Sequence, residues 1–277
     1  VTGVPALIRG LFDDAAIFPP GDLPLPEALP AHRAHRSAWY AEAVGPFLCG
    51  VGRLGELAAL HASGTDLTGL RVVLVAPGGV AQLGPALKAV TALSGLELVG
   101  VEVAATSPVR EVAAALDAQL PPGVPAAVEI PRDNAADALD ALAGTPYRAK
   151  YRTGGLSAEA FPSEAELAAF LSGCAERGLG YKCTAGLHNA VRHTDPVTGF
   201  EHHGFLNVLL AADRPTAAAE LLAERSGEVL ATAAAELTDT QVAGIRRSFT
   251  AFGTCSIAEP LADLAELGLL EHLLENR

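Results

Sequence analysis

The sequence predicts one α/β domain built as an eight-stranded barrel, and three observations carry that expectation. Short β-like runs alternate with Ala/Leu-rich segments along the whole chain, the pattern of a parallel sheet covered by helices. Eight such runs can be counted, the number that closes a (β/α)8 barrel. The 277 residues are half hydrophobic and only 18% charged, enough apolar material for one domain of that size. Residues 1–277 are therefore expected to form a single (β/α)8 TIM-type barrel domain, without linker, low-complexity tract or internal repeat.

The first expected strand, Ala15–Phe18, is the weakest because it is short and runs into Pro19 and Pro20. Phe47–Val51, Arg71–Ala76, Leu98–Val103, Ala126–Ile130, Arg148–Arg152, Gly180–Thr184 and Phe249–Gly253 follow, most of them rich in β-branched or aromatic residues. Between them, Pro108 reads as a first-turn proline opening a helix over Arg110–Leu120. Ser163 and Glu166 have capping-box spacing, Leu167, Phe170, Leu171 and Cys174 repeat at helical period, and Gly178 ends that helix. About 60 residues separate the seventh strand from the eighth, where a barrel needs far fewer. This interval is expected to hold a functional loop over HNAVRHTDPVTGFEHHG and extra helices over Phe205–Ala212 and Ala217–Arg225.

A net charge of −13 argues against a partner held through neutralised phosphates along a duplex, so no nucleic acid is expected. The basic segment HRAHRSAWY (32–40) reads as an exposed helix face beside a packed Trp39. Four cysteines without a CxxC argue against a disulfide scaffold or zinc ribbon, which makes the cytoplasm the expected location. No run of about 18 apolar residues suggests a membrane span. A homo-oligomer is compatible with all of this.

Strand alternation carries the functional reading. Successive residues face opposite sides, so Val101, Val103, Val128, Ile130, Tyr151, Tyr181 and Cys183 should point outward beneath helices. Glu102, Glu129, Lys150, Arg152, Lys182 and Thr184 should then point inward, near the strand ends where barrel enzymes carry their sites. Buried unpaired charge costs several kcal/mol, so these two acids and three bases must compensate one another or a ligand. They form either a structural ion-pair layer or a reactive site. Two ammonium groups in one pocket repel and favour a neutral amine able to attack a carbonyl; the acids act in the opposite direction.

At KYRTGG (150–155) and YKCTAG (181–186) the chain resembles class I aldolases of the deoxyribose-phosphate aldolase type. Lys150, Thr153 and Gly154 match that family's K-x-x-T-G strand end, and Lys182 with Gly186 matches its second lysine motif. FGTCS (252–256) resembles its phosphate-binding turn, FDDAAIFPP (12–20) lies where it has an acidic first-strand motif, and VEI (128–130) where it carries a glutamate. The resemblance implies a Schiff base on one lysine, perturbed by the other. The chain departs from it at Gly100, where the family has an aspartate, at Tyr151 and Arg152, and in the histidine-bearing insertion. The expected substrate is accordingly not deoxyribose phosphate.

Gly154, Gly155 and Gly253 offer backbone N–H groups to a phosphate, with Arg152 and Ser256 as side-chain partners; alternatively the Gly-Gly pair makes a tight turn. His188, His193, His202 and His203, half of the eight histidines, lie within sixteen residues together with Arg192. They read as proton-transfer or substrate-binding groups, or as a solvated loop. Asp13 and Asp14 belong either to a proline-stiffened turn or to acid/base machinery at the rim.

The expected activity is that of an aldolase-like lyase. Lys150 forms an imine with a small anionic carbonyl substrate, with or without a phosphate, while Lys182, Glu102, Glu129 and His188 tune charge or move protons. Arg152, Thr153, Gly154, Gly155, Thr184, Arg192, His193, His203, Gly253 and Ser256 are the expected substrate contacts. No metal or other cofactor is expected. Two alternatives are a metal-dependent hydrolase using the histidine loop with Asp13, Asp14, Asp195 or Glu201, and a non-catalytic binder of an anionic metabolite.

Overall fold

The computed structural model describes residues 3–270. Eight parallel strands close into a barrel: β1 (Phe12–Asp14), β2 (Val44–Gly50), β3 (Leu70–Ala76), β4 (Leu96–Ala104), β5 (Ala126–Glu129), β6 (Arg148–Arg152), β7 (Tyr181–Thr184) and β10 (Phe249–Thr254). Two short antiparallel strands, β8 (His193–Thr194) and β9 (Glu201–His202), form a hairpin after β7, with His193 opposite His202. β1 pairs with β2 on one side and β10 on the other, and this double pairing closes the ring.

Seven of the eight expected strands form at nearly their expected places. The first does not: Phe12–Asp14 is the strand, and Ala15–Phe18 is the loop that leaves it. Two adjacent aspartates have poor strand propensity, which hides β1 in the sequence. Each has a buried cationic or imidazole partner, so tertiary pairing overrides the propensity.

The helices lie outside the ring and cover the residues that alternation turned outward. Ser163 caps the helix Glu164–Glu176: its hydroxyl accepts from the Glu166 N–H at 3.3 Å while the Glu166 carboxylate accepts from the Ser163 N–H at 2.8 Å. Inside that helix Phe170 stacks on Tyr151 of β6 at 4.2 Å and meets the edge of Tyr181 of β7 at 5.5 Å. Full burial of such rings contributes about 1.5–3 kcal/mol each, anchoring the helix across two strands. Pro108 precedes the helix Val109–Gln119 as its N-cap rather than occupying its first turn.

The long interval after β7 contains the hairpin and four helices, Phe205–Asp213, Ala218–Ala223, Gly227–Ala235 and Asp239–Ser248. The sequence showed the first two; the last two are Ala-rich or polar and have no broad apolar stripe. Phe205 reaches back to Phe12 of β1 at 5.8 Å and to Phe252 of β10 at 5.3 Å, so the first of these helices seals the barrel where β1 closes it. Trp39 is not packed as expected: it is 44% exposed, with its ring edge against Tyr40. Among the described residues no helix is long and apolar enough to cross a membrane.

The barrel interior is divided. Ala15, Leu48 and Val73 form a small apolar group joined by Phe18, Val75 and Val99. Beside it lies a cluster of charged side chains.

Candidate active site

Glu102 of β4, Glu129 of β5, Lys150 and Arg152 of β6 and Lys182 of β7 meet inside the ring, as alternation required. Lys182 Nζ donates to Glu102 Oε1 and, at 2.5 Å, to Asp13 Oδ2 of β1. Lys150 Nζ lies 2.7 Å from Glu102 Oε2 and 3.1 Å from Glu129 Oε2. Arg152 Nε donates to Glu129 Oε1 at 2.9 Å. Side-chain exposure rises along this chain from 2% at Glu102 to 21% at Glu129 and 46% at Arg152, so it runs from the barrel axis to the C-terminal rim.

Asp13 changes the electrostatic account. Sequence alternation counted two acids against three bases, an imbalance that invited an anionic ligand. Because β1 begins three residues earlier than expected, Asp13 faces inward and the cluster holds three acids and three bases. Asp14, next along the strand, faces away and binds His32 Nδ1 at 2.9 Å, with both side chains buried. The sequence left both aspartates unassigned; the strand alternation of Phe12, Asp13 and Asp14 was the signal that separates them.

Burial drives the Glu102 carboxyl upward, but the adjoining Lys150 and Lys182 ammonium groups prevail and hold it at about 2. At Lys182 burial favours the neutral amine, yet Asp13 and Glu102 prevail and raise its pKa. Repulsion between the two lysines therefore does not neutralise Lys182. Asp13 is raised from its ordinary value because desolvation outweighs its contact with Lys182.

Access differs between the lysines. A cavity of about 210 Å³ enters between the N-terminal strand ends, past Arg71, Arg148 and Thr250, and reaches Asp13, Glu102 and Lys182. Lys182 and Lys150, opposite one another in the β6–β7 register and 8% and 4% exposed, thus both sit in mid-barrel rather than at the C-terminal end where they were expected. Lys150 does not line that cavity and connects instead to the rim through Glu129 and Arg152.

The remaining expected site residues surround the C-terminal rim. Thr153 is fully buried, and its hydroxyl donates to the carbonyls of Thr184 and Ala185, joining the ends of β6 and β7. Gly154 is required by close backbone approach: a Cβ there would come within 2.8 Å of Gly186 Cα, and Gly186 itself has φ +75°. Gly155 stands against Ala160, and Gly253 against Leu48 and Thr184. The Ser256 hydroxyl accepts from the Glu259 N–H at 3.3 Å.

The histidines separate into different environments. His188 Nδ1 lies 2.8 Å from Glu259 Oε2, beside Thr254 and Cys255 at the end of β10. Sequence reasoning missed Glu259, which lies on the exposed side of the last described helix. His203 is fully buried; its Nε2 lies 2.7 Å from the Pro162 carbonyl and its Nδ1 3.4 Å from Arg192 Nη1. Arg192 pairs at 2.9 Å with both Glu164 and Glu201. These contacts tie the hairpin to the start of helix Glu164–Glu176. His193 faces His202 across the hairpin at 5.2 Å. Among the described residues, no three His, Cys, Asp or Glu side chains gather as a metal-holding group.

Compared with protein-family models, curated proteins and solved structures, the chain matches none. The (β/α)8 architecture is compatible with an enzyme, and the site's own chemistry must carry any narrower reading.

Proposed function

We propose that this barrel is a class I aldolase-like lyase in which Lys150 forms an imine with a small carbonyl substrate. The observation that carries the proposal is the unequal environment of two lysines sharing one carboxylate. Lys182 is held as a cation by Asp13 and Glu102 and is a poor nucleophile. Lys150 is the amine connected to the rim, with Glu102 Oε2 and Glu129 Oε2 within reach of its protons.

In this reading, Lys150 loses a proton and its Nζ attacks the carbonyl carbon. The carbinolamine then loses water to give a protonated imine. As Glu129 takes the proton of the substrate's β-hydroxyl, the Cα–Cβ bond breaks, its electron pair passes to the imine nitrogen and a carbonyl product departs. The remaining enamine is protonated and hydrolysed by water to free Lys150. The Lys182 cation stabilises negative charge developing beside it. His188, paired with Glu259, serves as a proton relay at the rim. Arg152 and the backbone of Gly154, Gly155 and Gly253 hold the distal, anionic end of the substrate, while Thr184, Arg192, His193, His203 and Ser256 shape its surroundings.

Borohydride reduction with a panel of small aldehydes and ketones tests this. The expected result is a covalent mass on the Lys150 peptide, absent in Lys150→Met and reduced in Lys182→Met. No adduct on either lysine across the panel sinks the imine mechanism. The equal numbers of acids and bases favour one second reading, an ion-pair layer that only supports the barrel; it is preferred if trapping fails while Glu102→Gln still unfolds the protein readily.

A further inference from the structure

The N-terminal face of the barrel carries positive charge that the interior cluster does not use. Helix Leu25–Ser37 places Arg33 and Arg36 one turn apart, opposite Arg71 near the start of β3. With His32, Ser37 and Thr68 these arginines line a cavity of about 170 Å³. Arg71 also borders the cavity that enters the barrel, where Arg148 stands on a neighbouring part of the wall.

None of these guanidinium groups is neutralised by a carboxylate ion pair among the described residues. Arg33 Nη2 donates to the Asp66 carbonyl at 2.5 Å, and Arg36 Nη1 donates to the carbonyls of Ala41 at 2.9 Å and Val44 at 2.7 Å. A carbonyl satisfies a donor without cancelling its charge. The side chains of Arg71 and Arg148 make no hydrogen bond or ion pair among the described residues, although Glu97 lies beside Arg71 in the β3–β4 register. Two other acids near the hollow, Asp66 and Asp14, are already engaged. Asp66 accepts from the Thr68 N–H at 2.9 Å and is held below its usual range by Thr68 and then Arg33, while Asp14 is paired with His32. Three guanidinium groups around one hollow, in a chain of net charge −13, make a local field opposite in sign to the whole.

We propose that this hollow binds a small phosphate-bearing anion, with Arg71 as its principal ligand and Arg33 and Arg36 flanking it. The planar fork of arginine suits phosphate oxygens, and a dianion can accept from several forks at once. The site lies on the face opposite the C-terminal rim and does not depend on the imine chemistry.

Calorimetric titration of the full chain with inorganic phosphate and with pyrophosphate, at constant ionic strength, tests the proposal. Saturable binding is expected, weakened about tenfold or more by Arg71→Gln as a charge-assisted contact is lost. Arg71→Lys should recover part of the affinity, and Arg110→Gln, on the outer helix Val109–Gln119, should leave it unchanged. Because Arg71 has no described partner, its glutamine variant should keep the parent melting temperature. Failure of either anion to saturate overturns the proposal, as does full affinity in Arg71→Gln or an equal loss in Arg110→Gln.

Discussion

Lys150 and Lys182 hold opposite oxygens of the same carboxylate, Lys150 at Glu102 Oε2 and Lys182 at Glu102 Oε1. One acid from β4 therefore couples β6 to β7 through the barrel interior. Around it, charge balance depends on every member: Asp13 supports Lys182 and Glu129 supports Lys150. This arrangement makes the site a structural element as well as a candidate centre of chemistry.

Replacing Glu102 with glutamine leaves two buried ammonium groups facing Asp13 and Glu129 alone. Breaking a buried ion pair from one side costs about 3–5 kcal/mol. Urea unfolding of Glu102→Gln should show a lower midpoint with little change in slope. A loss below about 1 kcal/mol, the scale of an exposed pair, would contradict the burial described here.

Acid stability should depend on the same residue. The folded-state pKa of Glu102 lies below its unfolded value, so its stabilisation is present above the ordinary glutamate value of about 4.5 and is lost as pH falls toward about 2. The linked contribution is on the order of 3 kcal/mol. Asp13 acts with the opposite sign: its raised pKa makes the folded state bind a proton more readily, partly offsetting the loss on acidification. Urea midpoints measured across this range should fall more steeply in the parent than in Glu102→Gln; parallel profiles would rule out this assignment.

Gly154 and Gly55 should respond oppositely to alanine. At Gly154 the new methyl meets Gly186 Cα and Phe161 Cε1, both at 2.8 Å, and overpacking of this kind costs about 1–3 kcal/mol. At Gly55, in the helix Leu54–Ala62, nothing lies within 4 Å, and alanine should add up to about 1 kcal/mol through helix propensity. Thermal melts of the two variants check the contrast, and destabilisation at both positions would refute it.

Arg192→Met should loosen the β8–β9 hairpin by removing its links to Glu164, Glu201 and His203. The expected global cost is about 1–3 kcal/mol, since charged hydrogen bonds are lost but both glutamates retain solvent. Limited proteolysis should cut the turn between residues 195 and 199 faster in the variant. Equal cutting rates would mean that Arg192 does not hold the hairpin.

Much of the barrel and of its charged interior was legible in the sequence because strand alternation is a local rule. Val101 and Val103 against Glu102, or Tyr151 against Lys150 and Arg152, assign their faces without knowledge of the neighbours. Asp13 was illegible for the converse reason. Its strand is three residues long, carries adjacent aspartates and is held by pairing with β2 and β10, both distant along the chain. Glu259 beside His188 and Glu164 beside Arg192 were hidden in the same way, as single charges on otherwise ordinary helices.

The linear chain by itself determined the alternation of strands and helices, the long interruption after β7, and the inward set of Glu102, Glu129, Lys150, Arg152 and Lys182. Only tertiary structure decided that Asp13 completes the set, that Lys182 is locked as a cation while Lys150 connects to the rim, and that Arg33, Arg36 and Arg71 surround one hollow. The physical reason is range. Side-chain facing follows from the pleat of a few residues, whereas charge compensation and cavity lining depend on distances between segments that meet only when the ring closes.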